Sequence, residues 1–467
     1  MTDRNSNTGI LVFLRQALSA HNEDYTKGPI RRALALLAIP MMLEMAMESI
    51  FAIVDIFFVA RLGADAVTAV GLTEAVVTVI YAIAIGLSTS ATAMVSRRIG
   101  AGNPQAAAVV GGQAIWVGVA VAALTGFLGI RYAESILSLM GAGAGIIEQG
   151  AGYTSVLLGG SITILFLFLL NAVLRGAGDA SYAMKALWLA NGINIVLDPC
   201  LIYGWGPFPE MGVTGAATAT TIGRGIGVVY QLWILFGTRC RVPMHVSDLR
   251  VAPAVLLRLL RISIGGVVQH VIATSSWIVL VRIVSNYGSS AVAGYTIALR
   301  MFEFAFLPAW GLGNAAATLV GQNLGAGNPE RAEQSVWKAA QYNAVFLGAV
   351  SVLFIVFAEQ LVGLFMDDPE VIYYGADALR FLSYGFAWFA VGMVLIQGLN
   401  GAGDTDTPVL LNLLSYWVIQ IPLAYFLAES AGFGPRGAWL AVLVAESLLS
   451  ITAAIAFRTG RWKLRQV

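Results

Sequence analysis

Charge is what this chain has least of: only 11% of its 467 residues are Asp, Glu, Lys or Arg, against roughly 25% in a soluble domain. That shortage excludes a string of ordinary soluble domains, whose surfaces it could not cover. A formal net charge of +1 excludes a nucleic-acid partner, because phosphate binding needs a basic excess on one face. The two cysteines, Cys200 and Cys240, have no metal or redox spacing and exclude a disulfide framework. Three histidines form no His-Glu-x-x-His run, and no nucleophile elbow is present, so an enzyme is not expected. The first thirty residues lack a charged-then-apolar run ending in small residues, so no cleavable signal peptide is expected and Met1 is read as the mature start. Residues 11–20 read either as a short interfacial helix or as a plain lead-in.

Apolar residues, by contrast, make up 58% of the chain. They come in blocks of about twenty or more, the length that crosses a hydrocarbon layer roughly 30 Å thick. Charge, Gly and Pro bound spans at 33–60, 66–95, 106–130, 147–173, 181–203 and 213–236. A second six follow at 257–284, 290–318, 334–358, 371–398, 408–428 and 437–457. Each is far longer than a barrel strand of about ten residues. The expected fold is an all-α polytopic membrane protein of about twelve transmembrane helices.

Lys and Arg orient those spans. With an even count, one set of loops carries Arg4, Arg15, Lys27, Arg31, Arg32, Arg97, Arg98, Arg175, Lys185, Arg239, Arg241, Arg250, Arg258, Arg261, Arg331, Lys338, Arg458, Arg461, Lys463 and Arg465. The other set has Arg61, Arg131, Arg282 and Arg436, so the split is 20 against 4. By the positive-inside rule, both termini are expected to be cytoplasmic and the protein to lie in the inner membrane. The expected divisions are a lead at 1–30, a first lobe at 31–236, a linker at 237–256, a second lobe at 257–458 and a tail at 459–467.

The chain also repeats itself. Gly100-Ala101-Gly102-Asn103-Pro104 returns 225 residues later as Gly325-Ala326-Gly327-Asn328-Pro329, and Gly176-Ala177-Gly178-Asp179 as Gly401-Ala402-Gly403-Asp404. Gly63 matches Gly288, and Gly212 and Gly215 match Gly434 and Gly437 at an offset of 222. Six spans per unit give both copies one orientation, so the repeats are parallel, with a substrate path expected between them. The glycine motifs lie between spans without the strand-then-helix context of a phosphate cradle. They read as tight turns, with Pro104 and Pro329 opening the next helix.

Acids and amides inside the spans are costly and mark pathways. Glu44, Glu48 and Asp55, at i, i+4 and i+11, fall within about 40° of one another on one helix face. Asn191, Asn194 and Asp198, at i, i+3 and i+7, share another face, and Pro199 frees a backbone carbonyl in the turn before it. With Asn171, these form an all-oxygen set suited to Na⁺, and the carboxylates are equally able to carry a proton. Simple helix-to-helix bonding is the structural alternative, and for Asn191 alone the preferred one. The second half breaks the symmetry: Leu280 stands 225 beyond Asp55, Gln269 stands 225 beyond Glu44, and residues 418–423 contain no acid. That half keeps Arg300, Glu303 and Glu446, the first two spaced as an i, i+3 pair. His270 is a lone imidazole beside Gln269.

Two six-span halves, each with a GAGNP-like loop and a Gly-Ala-Gly-Asp turn, resemble the MATE (multidrug and toxic compound extrusion) exporters over residues 30–458. Val54-Asp55 followed by Ala60-Arg61-Leu62-Gly63, with Asp55 fifteen residues beyond Pro40, is similar to the family's first-span signature. Asn194-Ile195-Val196-Leu197-Asp198-Pro199 is similar to its fifth-span signature. Asn171 fits the first-lobe cation site of the prokaryotic DinF-like branch. The resemblance implies that Asp55, Asn171, Asn194 and Asp198, joined by Thr218 or Thr220, bind the coupling ion. That ion is Na⁺ or H⁺, with Asp55 and Asp198 as the Na⁺ carboxylates and no other cofactor. The other branch uses acids in the seventh and tenth spans, where this chain has Gln269 and no acid pair.

The resemblance further implies a monomer in the bilayer that exports small amphipathic, often cationic compounds by rocking two lobes. Glu44, Glu48, Glu74, Gln269 and His270 are the cavity candidates. A lipid-linked precursor flippase or polysaccharide exporter of the same superfamily is the alternative. It would carry a cationic cavity, whereas interior acids are read here as outnumbering interior bases. A channel would not need a duplicated chain with a one-sided acid cluster.

Overall fold

In hydrocarbon a helix satisfies its own backbone N–H and C=O groups, so long apolar blocks have little other choice. A computed structural model describes residues 10–19 and 23–467, and among them there is no strand. The helices are α1 (Ile10–Leu18), α2 (Ile30–Ala60), α3 (Ala64–Gly100), α4 (Pro104–Leu139), α5 (Ala144–Gly159), α6 (Ser161–Ala177), α7 (Ala180–Tyr203) and α8 (Val213–Leu235). They continue as α9 (Pro253–Val284), α10 (Ser289–Gly325), α11 (Pro329–Val356), α12 (Ala358–Gly363), α13 (Pro369–Tyr384), α14 (Phe386–Gly401), α15 (Asp406–Asn412), α16 (Ile421–Tyr425) and α17 (Pro435–Arg458). Turns of π-helix, Leu413–Gln420 and Phe426–Ser430, join α15 and α16 into one span, Asp406–Ser430.

Among the described residues, nine stretches are long and apolar enough to cross a membrane, and the pair α13 and α14, bent by 56°, makes a tenth. With α2 and α8 the protein is multi-pass, with about twelve transmembrane helices. The α13–α14 break falls at Gly385, and 225 residues earlier Gly160 parts α5 from α6. Residues 1–9 and 20–22, with Arg4 and Ala20 of the reading above, lie outside the described residues. Of the two readings of residues 11–20, the described part is helical: α1 packs on α2.

The halves are related as a two-fold rotation relates them, residue i meeting j where i+225 meets j−225. At the end of α3, a β-carbon on Gly100 would overlap the backbone of Gln322 in α10, and one on Gly325 would overlap that of Arg97. Further along, Gly86 of α3 lies on Gly266 and Val267 of α9, while Gly311 of α10 lies on Met41 of α2. The repeated turns match too: Gly102 and Gly327 both have φ of 73°, a left-handed conformation open to glycine.

Residues 25–28, 248–252 and 465 gather at the end with these turns. Arg331 donates to the carbonyls of Tyr25, Lys27 and Gly28 at 3.2, 2.9 and 2.8 Å. Arg97 donates to the carbonyl of Arg465 at 2.6 Å, and Arg465 pairs with Asp404 at 2.9 Å. Residues 248–252 lie across α4, held by Gln105, Gln113 and Trp116. One loop cation is corrected: α6 runs on to Ala177, so Arg175 is a buried residue of its last turn.

Candidate functional site

Three helices build an oxygen cluster. Asn194 of α7 donates to Asp198 one turn on at 3.3 Å and to Thr220 of α8 at 3.0 Å. Asp198 is fully buried, and its helix α7 packs against α2, which carries Asp55. Asp55 Oδ1, Asn194 Oδ1 and Asp198 Oδ2 are buried with no hydrogen-bond partner. Leaving such oxygens unmet costs about 1–3 kcal/mol each. Among the described residues no group of three His, Cys, Asp or Glu gathers for a transition metal. Two carboxylates, an amide oxygen and a threonine hydroxyl instead fit a hard cation or a proton. Thr218 is turned away, its hydroxyl donating to the Thr214 carbonyl at 2.8 Å.

Asn171 belongs to a second cluster. Its amide donates to Glu44 Oε1 at 2.8 Å, and its Oδ1 accepts from Gln231 at 2.6 Å. Arg175 also donates to Glu44 Oε1, at 3.1 Å. Glu48 accepts from Asn191 at 3.0 Å and stands 3.8 Å from Arg224, which donates to the Tyr81 hydroxyl at 2.8 Å. Glu44 and Glu48 thus each face a buried arginine. Arg224 was missed in the sequence, although an arginine in the middle of an apolar span was itself the signal.

Between the halves lie two adjoining cavities of about 430 and 510 Å³ that share His270, Glu303, Trp310, Gln397 and Asn400. The first is lined by Glu44, Glu48, Tyr81, Asn171 and Arg175, the second by Gln269, Trp277, Phe302, Phe306, Tyr416 and Glu446. Asp55, Asp198 and Glu74 line neither, and Glu74 is exposed on α3. Gln269 and Asn400 bond reciprocally at 3.1 and 3.2 Å. They stand 225 residues beyond Glu44 and Arg175, so one lobe holds an ion pair where the other holds an amide pair. Arg300 and Glu303 pair at 3.5 Å on an exposed face.

The MatE family model matches this chain twice, over residues 40–200 and 267–426, once per half. The probable multidrug resistance protein NorM of Thermotoga maritima is 28% identical over 94% of each chain. The FAD transporter of Shewanella oneidensis is 26% identical over 91% of this chain and 93% of its own. A solved outward-facing multidrug resistance MATE transporter of the MOP superfamily superposes with a TM-score of 0.88 at 27% identity, covering 94% of this chain and 98% of that one. The twofold match, the two six-helix halves and the cavities between them have one meaning: this chain belongs to the MATE family of membrane transporters, and it is not an enzyme.

Proposed function

We propose that this protein is a cation-coupled antiporter that exports small amphipathic, chiefly cationic compounds from the cytoplasm. It would work as a monomer in the inner membrane, with both termini and the 237–256 linker cytoplasmic. Lobes 31–236 and 257–458 rock about the cleft. The observation that carries this reading is the set of unpartnered oxygens on Asp55, Asn194 and Asp198, set apart from the central cavities.

Helices α2 and α7 connect the two places. Asp55 shares α2 with Glu44 and Glu48, and Asp198 shares α7 with Asn191. A cation that draws Asp55 toward Asp198 therefore acts on the same helices that line the cleft. It biases the lobe only so far as its affinity differs between the two packings. Na⁺ or H⁺ supplies charge neutralisation there, and Asn194 orients Asp198 for either. The multidrug names of the relatives support this substrate class, as do the apolar and aromatic cavity walls. Interior arginines held by Glu44 and Glu48 favour it over an anionic lipid-linked cargo.

Reconstituted vesicles with separately imposed Na⁺ and pH gradients test the reading. Uptake of a cationic dye driven by at least one gradient is expected; dye movement indifferent to both would refute antiport.

A further inference from the structure

Four carboxylates line the two cavities. Glu44 faces Arg175 at 3.1 Å, Glu48 faces Arg224 at 3.8 Å and Glu303 faces Arg300 at 3.5 Å. Among the described residues no Lys, Arg or His pairs with the fourth, Glu446 of α17. Its one side-chain partner is the Tyr416 hydroxyl, which donates to Oε1 at 2.9 Å.

The repeat shows how this arises. The sixth span of each half runs at an offset of 222, so Glu446 stands where the first half has Arg224 (446 − 222 = 224). The partners of Arg224 are Tyr81 and Glu48, and their counterparts 225 residues on are Phe306 and Ala273. Both line the same cavity as Glu446. An arginine neutralised by a phenol and an acid has become an acid beside a phenyl ring and a methyl group. The first lobe pairs both of its cavity-lining carboxylates with arginines; the second leaves one carboxyl group facing a cavity without a cationic partner.

Aromatic rings line that cavity. Trp277 and Phe302 have ring centroids 5.9 Å apart, Phe302 and Phe306 stack at 4.1 Å, and Phe389 lines the same space. A carboxyl group fixed by a phenol in a cavity that aromatic rings also line matches an organic cation, which gains an ion pair and ring contacts together. A bare metal ion would ask for several more oxygens.

We propose that Glu446 anchors an organic-cation subsite in the second half, with Tyr416 orienting the carboxylate and Trp277, Phe302 and Phe306 receiving the apolar groups of the ligand. This rests on the export function proposed above and adds to it a place and a charge preference that differ from the coupling cluster.

The test uses the purified full chain and two probes, the lipophilic monocation tetraphenylphosphonium and the uncharged dye Nile red. Glu446→Gln is expected to weaken tetraphenylphosphonium binding by at least about tenfold while Nile red affinity stays within about twofold. Trp277→Leu is expected to weaken the cation by a few-fold, on the order of one lost ring contact. Unchanged cation affinity in Glu446→Gln overturns the proposal, and so does a parallel loss of both probes. Should Glu446→Gln not fold, carbodiimide labelling of the wild-type chain decides: tetraphenylphosphonium must protect Glu446, and labelling indifferent to it overturns the subsite. Wild-type protein that binds the cation through Glu446 yet moves no cationic dye in vesicles supports the subsite and refutes the export reading. Gradient-driven dye export that survives Glu446→Gln with unaltered cation affinity does the reverse.

Discussion

Gly100 lies so close to Gln322 that no side chain fits between them, and the reciprocal contact of Gly325 with Arg97 puts the ends of α3 and α10 backbone to backbone. The rocking motion proposed above would require that seam to part. Gly100→Leu and Gly325→Leu are expected to shift the population away from this arrangement, because leucine is at ease in the helix and only the approach is blocked. Spin labels on Gln105 and Glu330, both exposed just past the seam, report it. Longer distances in the variants are expected; distances unchanged from wild type would mean that the seam does not open.

Glu44 and Arg175 form a buried pair with one side holding the other's charge. Arg175→Asn alone leaves a buried carboxylate unmatched, a loss of about 3–5 kcal/mol for such pairs. Glu44→Gln with Arg175→Asn reproduces the Gln269–Asn400 amide pair at the equivalent place. Thermal unfolding should show a lowered Tm in each single variant and near recovery in the double one. Additive losses would mean that the two residues do not act as a pair.

Asp55→Asn and Asp198→Asn keep shape and remove charge. Each is expected to abolish gradient-driven efflux by more than about tenfold with expression intact, since the proposed coupling site takes one carboxylate from each residue. Any rise in Tm on adding Na⁺ should vanish in both. Glu303→Gln is expected to be mild, its partner Arg300 being exposed. Wild-type transport in both Asp variants under either gradient would place coupling elsewhere.

Asp179 sits in the turn between α6 and α7, where burial lifts its carboxyl from 3.8 to about 6, although the Arg241 N–H at 2.6 Å pulls the other way. The folded state thus keeps a proton that the unfolded chain has already released. Stability from this group is full below the unfolded value and falls as pH rises to about 6, by up to about 3 kcal/mol. Asp179→Asn should flatten that stretch of a Tm-versus-pH curve; a variant curve parallel to the wild type would exclude Asp179 as its source.

Much of this was legible in the chain. The span limits read from Pro, Gly and charge agree with the helices to within several residues, because helices in lipid stop where apolar residues do. The 225-residue offset announced paired turns, and Gly102 and Gly327 share one φ. What failed was partner choice. Arg175 read as a loop residue because it follows the apolar run closely, and Asn171 read as a neighbour of Asp198. Both in fact point at Glu44. Hydrogen-bond partners 127 and 131 residues apart leave no mark in local periodicity.

Composition, hydropathy and the duplicated glycine turns by themselves determined a twelve-span, two-fold repeated membrane protein, because backbone hydrogen bonding in hydrocarbon and turn sterics act locally. The tertiary structure alone decided which charges are spent on one another. It set Glu44 on Arg175 and Glu48 on Arg224, and left the oxygens of Asp55 and Asp198 and the carboxylate of Glu446 to be met by something else. A charge in low dielectric is satisfied by whichever group packing brings within a few ångströms, and that is fixed by how helices cross rather than by the order of residues along them.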